Sequence, residues 1–146
     1  MRFLKLFVVI FFIVILTGCI NQSSMQVKQI KINDKILKVE VAETLGQMVM
    51  GLSSRVGLKD NEGMLFKYLN CQSRNFHMKD MNFPLDFIWI KDNVIVGLSE
   101  NVSVLSVDGN INKIKSPHDV NLVLEVNSGW VKTNIVKVGD MVYGLD

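Results

Sequence analysis

The chain is poor in the side chains that most often build metal and redox centres. Its 146 residues contain two cysteines, Cys19 and Cys71, and two histidines, His77 and His118. No Cys-x-x-Cys or His-x-x-x-His pair occurs, so the usual zinc and dithiol signatures are absent. Also missing are a Gly-rich phosphate loop, a Gly-x-Gly-x-x-Gly turn and a Gly-x-Ser-x-Gly elbow, which removes the commonest nucleotide-binding and hydrolase patterns. There is no large excess of one charge: 16 basic residues face 14 acidic ones, for a formal net charge of +2. A nucleic-acid surface needs a basic stripe, and none is evident. Internal repeats and low-complexity segments are lacking too.

What is present begins at the N-terminus. Arg2 and Lys5 precede an unbroken apolar run from Leu6 to Leu16, followed by Thr17-Gly18-Cys19. A basic start, a short apolar core and small residues before a cut make a secretory signal, too short to span a hydrocarbon core of about 30 Å. Leu16-Thr17-Gly18-Cys19 resembles the bacterial lipobox. That resemblance implies cleavage before Cys19 and lipidation of its sulfur and new amino terminus, with enough acyl chains for stable anchoring. Residues 1–18 are therefore expected to be signal, 19–26 the lipidated cysteine and tether, and 27–146 one domain. Loss of Arg2 and Lys5 brings the formal charge to zero. With Cys19 lipidated, Cys71 has no partner for an intramolecular disulfide, and packing alone must hold the exported fold.

Along the domain the hydrophobic period is mostly two. Val27–Ile32 and Lys35–Ala42 alternate across an Asn33-Asp34 turn, predicting a hairpin. Thr44-Leu45-Gly46-Gln47 is a capping box. Leu45, Met48, Val49 and Leu52 then recur at helical spacing, which predicts a short helix with that stripe on the core. Residues 63–66, 75–78, 85–90, 94–98, 120–126 and 141–143 read as strands. Residues 67–73, with Cys71, read as a polar loop, and Val131, Ile135 and Val138 as one face of a short irregular helix. Many short strands and one or two helices predict a mainly β fold, a compact sandwich or barrel of short antiparallel strands.

The richest chemistry lies between residues 74 and 90. Period two puts Phe76 and Met78 on one face, and Leu85, Phe87 and Trp89 on another, as core. Asp86 falls between apolar neighbours and needs a partner. One reading is structural: an ion pair with Lys79, Arg74 or Arg55, or acceptance of backbone amides from residues 79–84. The other is functional: Lys79 and Asp86 border a pocket for a polar ligand, joined by Arg55, His77 and Asp80. A lysine beside Asp86 or Asp80 also suits acid–base catalysis if burial lowers its pKa. A Cys71–His77 nucleophilic pair is a weaker option. Soft-metal binding would draw on Cys71, His77, His118, Asp80 and methionines. Yet Met48 sits on the helical stripe and Met64 and Met78 sit in strand runs, where methionine is usually core. No cofactor is expected.

Several pieces stand in a fixed order: Val39-Glu40-Val41-Ala42, Gly51-Leu52, Arg55, Leu58, Gly63-Met64-Leu65-Phe66, Phe76, Met78-Lys79 and Pro84-Leu85-Asp86. Leu124-Glu125-Val126, Gly129 and Gly139-Asp140 follow. This set resembles domain-of-unknown-function family 192. The resemblance implies a jelly-roll-like β fold, often secreted or lipid-anchored in bacteria, with no established activity. Where the family usually has Phe-Trp-Met-Lys-Asn-Thr, this chain has Phe76-His77-Met78-Lys79-Asp80-Met81. The functional expectation is a non-catalytic binding module, lipid-anchored to a membrane of the bacterial envelope and outside the cytoplasm. Its ligand would be a small polar molecule, a glycan or an envelope protein. An acid–base enzyme and a copper carrier are the alternatives.

Overall fold

A computed structural model describes residues 24–145. The expected signal, Cys19 and most of the tether lie outside the described residues. Strands β1 (Gln26–Ile32) and β2 (Lys35–Ala42) form the expected hairpin, turning at Asn33 with φ 52°. Helix α1 (Leu45–Met50) crosses to β3 (Glu62–Gln72), which runs parallel to β2. A parallel neighbour requires such a crossover. This is the one parallel pair among the described strands; the other pairings are antiparallel. Next come β4 (Asn75–His77), β5 (Leu85–Lys91), β6 (Val94–Val102), β7 (Lys113–Lys115), β8 (Val120–Asn127), α2 (Trp130–Thr133) and β9 (Val142–Tyr143).

Seven strands make one sheet in the order β6-β5-β8-β3-β2-β1-β9, and β4 pairs with β7 in a separate two-stranded piece. The large sheet curls round on itself. Val94 of β6 bridges Met141, the Ile95 N–H donates to the Asp140 carbonyl at 2.9 Å, and the Val142 N–H donates to the Asn93 carbonyl at 2.8 Å. The two ends of the order are thereby brought together at one bridge, and a mainly β, barrel-like curled sheet results, in keeping with the expected sandwich or barrel. These contacts cover part of two edges that would otherwise invite further pairing.

Strand alternation divides the core in two. Ile30, Leu37, Val39, Leu65, Ile88 and Leu124 fill the barrel interior. Met64, Phe66, Phe87, Trp89 and Val123 point outward into a second core. That outer core lies under α1, the β4–β7 pair and the segment around Met78 and Met81. Phe76 joins it edge-on to Phe66, Phe87 and Trp89, with ring centroids 5.0, 5.5 and 5.8 Å away. Both faces of β5 and β8 are therefore buried, which explains their near-continuous apolar sequences.

Three local expectations need correction. The capping box forms: the Gln47 N–H donates to Thr44 Oγ1 at 3.3 Å and the Thr44 N–H donates to Gln47 Oε1 at 3.0 Å. The helical stripe, however, is not wholly core, since Leu45 is 79% and Val49 71% exposed. The helix has only six residues, ends at Gly51 (φ 49°), and buries Leu52 from beyond its own end. Residues 67–72 are not a loop; β3 continues through them, pairing Lys67 with Leu122 and Gln72 with Val120 across an irregularity. Cys71 is exposed there. Finally, α2 stops at Thr133. Ile135 adopts φ 55° and is exposed, as is Val138, while Val136 turns inward. A left-handed β-branched residue cannot continue a helix.

Candidate functional site

The five residues expected to hold a ligand do not converge. Asp86 is fully buried on the interior face of β5. Its Oδ1 accepts from the Asn101 N–H at 2.8 Å and its Oδ2 from the Val131 N–H at 2.9 Å. The carboxylate thus ties the end of β6 to the first turn of α2. The amides it accepts are those of residues 101 and 131, not those of residues 79–84, and it makes no ion pair with Lys79, Arg74 or Arg55. Lys79 and Asp80 are exposed. Asp80 has φ 59°, and its carbonyl accepts from the Ser54 N–H at 2.8 Å. With Lys79 in solvent and both Asp86 oxygens committed to backbone amides, no Lys79–Asp86 acid–base pair is assembled.

Arg55 pairs with neither Asp86 nor Glu125. It forks onto Glu40 of β2, Nη1 to Oε1 at 2.6 Å and Nη2 to Oε2 at 2.8 Å. The guanidinium holds the Glu40 carboxyl below its usual range, chiefly by these hydrogen bonds. Both side chains remain about a third exposed, so the pair adds little to stability. Arg55→Ala should lower unfolding free energy by no more than about 1 kcal/mol, measurable by urea denaturation. A loss several times larger would mean that Arg55 has a structural role these contacts do not reveal. Arg74 is nearly buried, with its guanidinium carbon 3.7 Å from the centre of the Tyr68 ring and its Nη2 donating to Asn70 Oδ1 at 2.8 Å.

Of the five, His77 borders the groove under helix α1. A groove of about 290 Å³ opens between α1 and β4, over the outer face of β3 and β8. Its walls are mainly apolar, with Met48, Val49, Phe66, Phe76, Met78 and Met81 among them. His77 stands at the exposed rim, where Nδ1 accepts from the Lys79 N–H at 3.4 Å. Leu45, Val49 and Met50 line it too and are largely exposed, so the part of the helical stripe that misses the core edges the groove instead.

On the groove wall lies Glu125 of β8, only 5% exposed. Its backbone is held between Met64 of β3 and Phe87 of β5. Its carboxyl has no hydrogen bond or ion pair among the described residues. Burial alone pushes its pKa up to about 8. Tyr68, also on the groove, is raised too, first by burial and then by the nearby Glu125 charge, against a lowering by Arg74. A buried carboxyl without a partner is costly and marks a site when it borders a cleft. The sequence signal for it is slight: one acidic residue inside Val120–Val126, a run that otherwise reads as buried strand.

The curled β barrel with a groove on its outer face defines a class of small β domain. The chain belongs to domain-of-unknown-function family 192, an uncharacterised ACR, whose profile matches residues 28–144. No curated protein is significantly similar to it. Among solved structures, one from Sinorhizobium meliloti, named only provisionally as a transcription regulator, is 30% identical with a TM-score of 0.76. The match covers 83% of this chain and 95% of that one. A protein of unknown function from Novosphingobium aromaticivorans is 25% identical, with a TM-score of 0.74 over 83% of this chain and 87% of that one.

Proposed function

We propose that the domain is a non-catalytic binding module whose ligand, a small and mostly apolar molecule with one polar group, lies in the groove beside Glu125. The observation that carries this reading is the unpartnered, buried Glu125 carboxyl on an otherwise apolar groove. Pockets of this kind bind through their apolar walls and orient the ligand with a few polar groups. His77 belongs to the site as a rim residue. The test is native mass spectrometry of the intact chain. A small-molecule adduct should be present in the unmodified protein and absent from Val49→Trp, whose larger side chain fills the groove mouth. An adduct that survives that substitution overturns the reading.

A second reading rests on a different observation. Met48 and Met50 on one segment and Met78 and Met81 on another line the same groove as His77. Thioethers and imidazole together suit Cu(I). No three His, Cys, Asp or Glu side chains gather into a ligand set among the described residues, so a metal here would rely on sulfur. Titration with Ag(I) as a redox-inert probe should show one tight site that is lost when Met78 and Met81 are both replaced by leucine. Unchanged binding in that variant sinks the idea.

The placement of the module is a proposal of the same standing. The lipobox-like Leu16-Thr17-Gly18-Cys19 supports a lipid anchor in a bacterial membrane, with the domain outside the cytoplasm. Cys19→Ala should abolish palmitate labelling and release the protein from membranes. Retention of both would refute the anchor.

A further inference from the structure

We infer that the groove selects a ligand with a protonated amine as its head, carried on a compact aromatic or alkyl body. This inference rests on the groove reading above and specifies its chemistry. The residues that line the groove include no lysine and no arginine, so the lining itself offers an anionic ligand no permanent positive charge. Glu125 is the one acidic side chain in the lining, and its carboxyl is unpartnered. A neutral hydroxyl could exchange one hydrogen bond with the protonated acid. An ammonium group gains more, because hydrogen bonds between ionised partners are shorter and about twice as strong. The rings of Phe66, Phe76 and Tyr68 line the same space, and aromatic faces attract cations in dry surroundings.

Binding has a proton balance. At neutral pH the buried carboxyl is mostly protonated, while a simple amine is already an ammonium ion. Docking the ammonium converts Glu125 to carboxylate and passes its proton to solvent. The other titratable groups near it are Tyr68 on β3, His77 on β4 and Arg74 over the Tyr68 ring. Helix α1 contributes Leu45, Met48, Val49 and Met50 to that wall, and Gly51, Leu52 and Ser53 follow it, none of them titratable.

The experiment is isothermal titration of the intact chain at pH 6.5–7 with phenethylamine, phenethyl alcohol and phenylpropanoate, in two buffers of different ionisation enthalpy. The amine should bind at least tenfold more tightly than the alcohol, phenylpropanoate should not bind, and close to one proton should be released per amine bound. Glu125→Gln should remove the amine preference and the proton release while keeping alcohol binding. Equal affinity for amine and alcohol, both blocked by Val49→Trp, overturns the amine head and leaves the groove reading standing. Binding of none of the three at millimolar concentration, or binding indifferent to Val49→Trp, overturns both.

Discussion

Asp86→Ala should destabilise the domain by about 3–5 kcal/mol, since each hydrogen bond to a charged group contributes about 1.5–3 kcal/mol. Two backbone donors, the N–H groups of Asn101 and Val131, end on this one carboxylate at 2.8 and 2.9 Å. Alanine would leave both without an acceptor in a place where the native side chain is fully buried. Such a loss lowers the melting temperature by on the order of 10–20 °C for a domain of this size. Asp86→Asn keeps one acceptor oxygen but turns an NH₂ toward the second amide, so it should cost about half as much. Lys79→Ala, at an exposed position, should change stability by less than about 0.5 kcal/mol. The double variant should equal the sum of the two singles. Thermal denaturation of the four proteins checks this. A coupling above about 1 kcal/mol between residues 79 and 86 would restore the ion pair that the geometry denies.

Asp86 also shows which inferences a sequence supports. Period two placed it opposite Leu85, Phe87 and Trp89, and the structure agrees: those three face the outer core, while Asp86 faces the barrel interior with Ile88 and Ile90. The need for a buried carboxylate to be satisfied was equally readable. The identity of its partners was not, because Asn101 and Val131 lie 15 and 45 residues away and offer backbone amides, which carry no side-chain signature. Strands marked by alternation or by long apolar runs were legible for the same reason that they are stable, since their residues have a definite inside. Alternation fails where both faces or neither face is buried. The end of β3 beyond Lys67 has exposed side chains and is held by its ladder to β8, so it looked like a loop.

The groove was less legible than the barrel. Leu45, Val49 and Met50 have the composition of core residues, and only the shortness of α1 and its stop at Gly51 leave them at a rim. The four groove methionines come from two separate segments, so no spacing rule collects them. Glu125 is visible in the sequence as one charge within an apolar strand, but nothing in its spacing says that the available arginine, Arg55, is taken by Glu40 instead. Sheet topology decides which residues meet, and the pairing of β5 with β8 joins partners as far apart in the chain as Leu85 and Asn127.

Glu125 gives the second large expected effect. Burial raises its folded pKa from 4.5 to about 8, so between those values the folded state binds more protons at this position than the unfolded state does. Stability contributed by the protonated form is therefore fully present below about pH 4.5 and falls as pH rises toward 8, by about 1.4 kcal/mol per pH unit within that interval. This is the reverse of the usual paired carboxylate, whose stabilisation is lost in acid. Glu125→Gln, close in shape to the protonated acid, should remove the dependence. The two proteins should be nearly equal in stability at pH 4.5, and the variant should become progressively the more stable as pH rises to 8. Chemical denaturation across that range isolates the group, because Tyr68, His77 and Arg74 are common to both proteins. Parallel stability curves would show that the Glu125 carboxyl is already ionised and solvated, and the groove would then lack the polar anchor on which its ligand chemistry depends. If the difference appears, saturating phenethylamine should shrink it at pH 8, because an ammonium ion in the groove stabilises the folded carboxylate and has nothing equivalent to bind in the variant.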